Sequence, residues 1–462
     1  MVINLIFEIV KSEGIAHKSY FIGSNGTAAV IDPRRDCDIY IEIAEKNNME
    51  IDYIFETHRN EDYTIGSLEL REIVGADIFH GKGIKFEYGN YVKEGDKFQI
   101  GSLVLEIMET PGHTDESISI IIRDKDVSDD VYMIFTGDSL FTGEIGRCDL
   151  YGELKKRRNA EKMYLSVVKK ILSLGDNVIV CPAHGSGSIC GAQIREQEFT
   201  TVGYEKKTNL ILQKDKSEFI KAKVNEKLYT PPYFKKMEKN NLEGPTLICK
   251  LPYLKPLRMH EVKNLMANDA QVIDVRDPTA FAGGHISNTI NIWKDGLPAY
   301  AGWFLNYEEP IIIIDDNNDS IDELKRHMVR LGYDNIYGYL SGGFPVWFKC
   351  SGDFETVNTW SVHDLLPNMG KESLFLLDVR KEDDWMKEHI EGSHNIYIGL
   401  LKDELDKVPK DKHIVVSCDT GYKASIGTSI LKKNGYKNVT NILGSMMSWK
   451  KAGYPVVKGN LK

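Results

Sequence analysis

No CxxC pair occurs in the 462 residues, and the seven cysteines (Cys37, Cys148, Cys181, Cys190, Cys249, Cys350 and Cys418) are thinly scattered. This excludes a disulfide framework and a structural zinc site of paired cysteines. Each thiol is then either buried filler or chemistry. An excess of positive charge is also missing: 58 Lys and Arg stand against 68 Asp and Glu, a net charge of −10. That argues against nucleic acid as the main partner, because phosphate-binding surfaces are usually strongly basic. The basic run Lys155-Lys156-Arg157-Arg158 reads as a solvated helix face. No apolar stretch approaches the length of a membrane span. Residues 1–10 carry Glu8 and no basic leader, so no signal peptide is expected. The expectation is a cytoplasmic protein without a membrane partner.

What is present is enough apolar residue, 42%, to bury several cores in a chain whose length suggests about three domains. The first 240 or so residues alternate short β-branched runs with turns. Segments 20–22, 28–31, 53–56, 103–108, 117–122, 131–135 and 178–181 are predicted as strands. Several end in the polar clusters IDPRRD, ETHRNED, TPGHTDES, FTGDSLF and CPAHGSGS. Strands that stop repeatedly at His, Asp and Gly build a site from loop tips on a rigid frame. Segment 206–240, rich in Lys, Asn and Glu, reads as an exit helix and linker.

The rest of the chain repeats itself. Val272-Ile273-Asp274-Val275-Arg276 recurs as Leu376-Leu377-Asp378-Val379-Arg380, and Gly284-His285-Ile286 as Glu388-His389-Ile390. Gly332-Tyr333 recurs as Gly435-Tyr436, and Trp347 as Trp449. Two homologous α/β units of mostly parallel sheet, covered on both faces, are expected.

The N-terminal clusters supply His58, Asn60, Asp62, Tyr63, His113, Asp138 and His184. Two neutral imidazoles and one carboxylate suit a mononuclear non-haem iron site with positions left open for substrate and dioxygen. His58, His113 and Asp138 each sit just after a predicted strand. The order THxxxD, PGHT, TGDSLF, GR and PAHG resembles the metallo-β-lactamase superfold, an αββα sandwich, and within it the persulfide dioxygenase branch. The resemblance implies His58, His113 and Asp138 as ligands of one Fe(II) per chain, with zinc as the less favoured occupant. Asp62 and His184 are implied as groups that orient ligands or bind substrate. Arg147 is implied near the site, holding a substrate carboxylate or forming a structural ion pair. The hydrolase pattern HxHxDH reads here His58-Arg59-Asn60-Glu61-Asp62-Tyr63, so one imidazole of each metal of a two-metal hydrolase is missing. Cys190, beyond His184, is either a buried packing residue or an acceptor of sulfur at the pocket mouth.

In the last unit the apolar run Ile414-Val415-Val416-Ser417 is followed at once by Cys418, then Asp419-Thr420-Gly421-Tyr422-Lys423, with a helix expected from near Ala424. A cysteine between strand and helix meets converging backbone N–H groups and a helix N-terminus, which stabilise a thiolate or a persulfide anion. The loop, with DVR and HI upstream, resembles the sulfurtransferase form of the rhodanese family. Cys418 is implied as the catalytic residue, and Asp419, Thr420, Gly421, Tyr422 and Lys423 as its cradle. Lys423 stands where Arg is more usual. In the earlier unit Asp315 falls opposite Cys418, so that unit is expected to be inactive.

The resulting expectation is a dioxygenase domain over 1–240, an inactive rhodanese-like domain over 250–352 and an active one over 355–462. Its partners would be a small thiol persulfide, O₂, and sulfite or thiosulfate, in a chain that self-associates. A metal-dependent thioester hydrolase fused to a sulfurtransferase is the first alternative. A metal-free scaffold carrying only the Cys418 activity is the second.

Overall fold

Alternation along the strands sets the layers of the N-terminal region. Tyr20, Ile22, Ala29, Ile31, Phe55, Ile107, Ile120, Ile122 and Phe135 share one core. Their chain neighbours Phe21, Ala28, Val30 and Ile54 join a second, and Met108, Ile121 and Ile134 a third. Successive side chains of a strand point to opposite faces, so a sheet whose two faces are both apolar is covered on both sides.

The computed structural model describes residues 5–191 and 193–459. The extremes of the first and last expected domains, residues 1–4 and 460–462, lie outside the described residues. The chain forms two compact units. One runs to Leu251 and includes Met328–Gly332; the other comprises Pro252–His327 and the chain from Tyr333 onward.

In the first unit, β1 Leu5–Ser12, β2 His17–Ser24, β3 Thr27–Ile31, β4 Glu50–Glu56, β5 Asp77–Gly81 and β6 Asn90–Val92 form one sheet in that order. The second sheet runs β12-β11-β10-β9-β8-β7, from β7 Lys97–Ile100, β8 Leu103–Glu109, β9 Ile118–Asp124, β10 Met133–Gly137, β11 Ile179–Pro182 and β12 Thr200–Thr201. Helices Asp38–Lys46 and Ser67–Val74 cover the outer face of the first sheet. Glu153–Tyr164 and the π-helical turn Leu165–Lys170 cover the second. This is the αββα sandwich expected from the sequence.

The stretch read as linker is different. It holds helices Lys216–Asn225 and Phe234–Glu243, which bury Phe219, Ile220, Lys223, Phe234, Met237 and Asn241. Its high Lys, Asn and Glu content hid an amphipathic face of few but large apolar residues.

The second unit contains two five-stranded, fully parallel sheets of the same order. The first is β13-β17-β16-β14-β15, from β13 Lys255–Leu257, β14 Gln271–Asp274, β15 Ile290–Asn291, β16 Ile311–Ile314 and β17 Ile336–Leu340. The other is β18-β22-β21-β19-β20, from β18 Asn358–Trp360, β19 Leu374–Asp378, β20 His394–Asn395, β21 His413–Ser417 and β22 Val439–Ile442. The repeat extends to single hydrogen bonds. Arg276 grips Asp274 as Arg380 grips Asp378, through both carboxylate oxygens. Asn291 and Asn395 each donate to the backbone carbonyls of those pairs. Among the described residues no helix is long and apolar enough to cross a membrane.

Candidate metal centre and cysteine loop

His58, His113 and Asp138 lie one or a few residues beyond the ends of β4, β8 and β10, and all three are buried. Their donor atoms lie within 4.8 Å of one another. Nε2 of His113 is 3.4 Å and Nε2 of His58 3.7 Å from Oδ2 of Asp138. None of these three atoms has a hydrogen-bond partner. Buried polar atoms are seldom left unpaired. Three that converge at this spacing fit a transition ion with ligand distances of about 2.0–2.2 Å.

The remaining atoms of each ligand are fixed from behind. Thr57 donates its hydroxyl to Asp32 Oδ2 at 2.7 Å, and its backbone N–H to Oδ1 at 2.7 Å. The Thr57 oxygen is then free to accept His58 Nδ1–H at 2.9 Å. That leaves the Nε2 lone pair facing the site. Burial lowers the His58 pKa to about 4 and raises that of Asp32 to about 7. His113 donates Nδ1–H to the Arg147 carbonyl at 3.0 Å. Gly137 packs so closely that a Cβ there would stand 2.6 Å from Thr57 Oγ1, and its φ is +52°. Only glycine suits that position.

His184 Nδ1 is hydrogen-bonded to Asp138 Oδ1 at 2.7 Å, and its Nε2 stands 2.9 Å from Asp62 Oδ2. Burial alone would lower its pKa, but the two carboxylates outweigh that and raise it. The ring of His184 thus stands between the two acids. Arg147, expected beside a substrate, is fully buried. Its guanidinium is bonded to Asp149, the Ile189 and Tyr229 carbonyls and Thr230. This is a structural ion pair, because every edge of the fork is engaged within the protein. Tyr63 turns its hydroxyl to the Asp32 carbonyl and packs on His17. Asn60 donates to the His58 carbonyl.

One residue of the motif escaped the sequence reading. Glu61, between the two altered motif positions, is fully buried, with Oε1 3.0 Å from Arg59 and Oε2 3.6 Å from His113 Nε2. Cys190 is buried in a small cluster with Phe141 and Ile194. Its sulfur also joins Asp62 and His184 in a second group of three possible donors.

In the second unit, Cys418 directly follows β21 and is buried. Gly421 donates its backbone N–H to the Cys418 sulfur at 3.1 Å, and Cys418 N–H donates to Ser445 Oγ at 3.0 Å. Gly421 has φ +99°, and the helix Tyr422–Lys433 starts at once, two residues earlier than expected. Lys423 forms an ion pair with Asp419. In the first repeat Asp315 follows β16 at the matching place, and Asn318 donates to both its oxygens at 2.6 and 2.8 Å.

Residues 13–184 match the metallo-beta-lactamase superfamily, and residues 259–350 and 361–452 each match the rhodanese-like domain. The chain is 34% identical to Hydroxyacylglutathione hydrolase 1 of Vibrio vulnificus over 159 residues, 34% of this chain and 57% of that protein. It is 28% identical to Persulfide dioxygenase ETHE1, mitochondrial, of Bos taurus over 189 residues, 39% of this chain and 68% of that protein. The chain thus spans little more than half the length of the Vibrio relative. A crystal structure of a metallo-beta-lactamase from Staphylococcus aureus covers 73% of this chain and 99% of its own, at 28% identity and a TM-score of 0.66.

Proposed function

From a chain that joins a metallo-beta-lactamase domain to two rhodanese-like domains, we propose a persulfide dioxygenase coupled to a sulfurtransferase. The observation that carries this reading is the set of three unpaired, converging donors on His58, His113 and Asp138, complete where the hydrolase motif is broken at Asn60 and Tyr63. These three residues would hold Fe(II), which would supply open positions for a sulfur anion and dioxygen and the electron transfer between them. The overall reaction takes a low-molecular-weight thiol persulfide, O₂ and water to the thiol and sulfite. The chain's own part is positional. Asp32 and Thr57 fix the His58 tautomer, the Arg147 carbonyl fixes His113, and His184 holds Asp138 with one oxygen facing the site.

Cys418 carries sulfane sulfur, its persulfide cradled by Gly421 N–H. Transfer of the outer sulfur to sulfite gives thiosulfate and restores the thiol. The first repeat, with Asp315 at that place, carries none.

Elemental analysis of anaerobically purified protein, with O₂ uptake on glutathione persulfide, tests this reading. About one iron per chain, uptake and sulfite formation are expected, and His58→Ala abolishes uptake while Cys418 still loads sulfur. The Asp62–His184–Cys190 group favours a second reading, a two-metal thioester hydrolase. Two metals per chain and anaerobic turnover of an acyl-thiol would replace the first reading with it.

A further inference from the structure

In each repeat the turn after the sheet's last strand in sequence, β17 or β22, is bonded to the loop that holds Asp315 or Cys418. The carbonyl of that first loop residue accepts a backbone N–H from the turn, from Phe344 at 2.8 Å in the first copy and from Met446 at 3.1 Å in the second. The residue just before this donor is Gly343 in the first copy and Ser445 in the second. Gly343 has φ +66°, and a Cβ there would stand 2.4 Å from the Asp316 carbonyl oxygen and 2.6 Å from that of Asp315. Glycine is the residue such a place calls for.

The second copy departs from this. Ser445 is fully buried and has φ +38°, left-handed backbone that a Cβ disfavours. Residues held in such backbone persist only where their surroundings over-determine them, and they gather at functional sites. What Ser445 adds is a hydroxyl behind the loop cysteine. Its Oγ donates to the Ile442 carbonyl at 2.8 Å and accepts the Cys418 N–H at 3.0 Å. Ile442 ends β22 and Cys418 follows β21, so one hydroxyl ties the two strand ends together. Gly421 N–H meets the sulfur itself at 3.1 Å. Cys418 is thus held twice, by its own backbone N–H and at its Sγ.

We propose that Ser445 is a positioning residue for sulfur transfer, its hydroxyl fixing the Cys418 backbone so that Sγ stays in line with the incoming sulfur. This rests on the reading of Cys418 as the sulfur carrier. In the loading step the Cys418 thiolate attacks the outer sulfur of R–S–SH. The new S–S bond forms as the old one breaks, and its electron pair leaves on RS⁻. Cys418–S⁻ and RSSH thus become Cys418–S–SH and RS⁻. Attacking, transferred and leaving sulfurs must stand in line as this happens. A tilt of the Cys418 backbone swings Sγ off that line. The first copy has no cysteine in its loop to aim, and it keeps glycine at the matching place.

The test uses the full-length protein without O₂, with glutathione persulfide as donor, and follows the gain of sulfur on Cys418 by rapid-quench mass spectrometry. Ser445→Gly removes the hydroxyl and the backbone strain together. Its melting temperature stays close to that of wild type, because relief of strain offsets the lost hydrogen bonds. Its limiting loading rate falls about tenfold, while the donor concentration at half-saturation stays within about twofold, since Ser445 touches no donor. Ser445→Ala removes the hydroxyl and keeps the strain, so it loses melting temperature as well as rate. If that variant fails to fold, Ser445→Gly decides alone. A Ser445→Gly loading rate within about twofold of wild type overturns the proposal. So does a loss that falls wholly on half-saturation, or one that only tracks a loss of folded protein. The carrier reading fails separately: it is overturned if the wild type itself gains no sulfur on Cys418. Equal loading of wild type and Ser445→Gly overturns only the role of Ser445.

Discussion

The two rhodanese-like repeats share one loop and differ in what fills it. In the first, Asn318 N–H donates to Asp315 Oδ2 at 2.8 Å; in the second, Gly421 N–H donates to Cys418 Sγ at 3.1 Å. The donor stands three residues on in both copies and is left-handed in both, with φ of +67° and +99°. The first loop residue also accepts through its carbonyl from the next helix, Phe344 N–H at 2.8 Å and Met446 N–H at 3.1 Å. The anion cradle therefore belongs to the strand–loop–helix frame and not to the thiol. A resident carboxylate fills it permanently in the first copy. A thiol, which can gain and lose a sulfur atom, fills it in the second.

The largest difference between the copies is expected in sulfur loading. Cys418→Ser lowers transfer by about a thousandfold or more, while Asp315→Asn leaves it within about twofold; thiocyanate formation measures both. An Asp315→Asn variant as damaged as Cys418→Ser would make the first copy a participant in the chemistry.

The next expectation tests the shared frame. Arg276→Met and Arg380→Met each strand a buried carboxylate and cost roughly 3–5 kcal/mol, read from denaturant unfolding. Arg276 also lies 4.0 Å over the Phe344 ring, so the first copy suffers more. Equal losses would remove that ring from the comparison.

A smaller effect separates frame from function. Gly421→Ala forces a side chain into left-handed backbone with its Cβ 3.0 Å from the Ile442 carbonyl. It costs about 1–2 kcal/mol and lowers transfer about tenfold by displacing the N–H on sulfur. Asn318→Ala has a comparable stability cost and leaves transfer intact. A further effect is one of pH. Burial lowers the His285 pKa from 6.5 to about 4, so below pH 6.5 the unfolded chain binds the extra proton. Stability is complete above that pH and falls as pH drops towards 4. His285→Gln flattens this slope by up to about 3 kcal/mol, followed by melting temperature against pH.

The candidate ligand set and the loop cysteine could be picked out because each stands one to four residues beyond a strand, where local pattern and chemistry coincide. The internal repeat was legible because DVR and Trp recur at nearly constant offsets. The supports were not. Asp32, just beyond β3, braces His58 through Thr57, 25 residues further on, and no local spacing announces that. Glu61 looks like a surface residue of a polar motif until burial places it against His113. Asn241 donates to the Asn60 and Tyr63 carbonyls and accepts the Ile65 N–H from within a stretch whose composition reads as linker.

Helix Tyr422–Lys433 buries eight consecutive residues, Ala424 to Leu431. Its Ser425 and Ser429 hydroxyls are bonded to Asn291 of the first repeat. A helix with no wet face cannot fray by itself, so its amides exchange with solvent only when the repeats part. The two copies then melt as one cooperative body. Removing the first copy would leave the second with a raw apolar flank. The copy without a loop cysteine persists in the chain as half of the other's folded state.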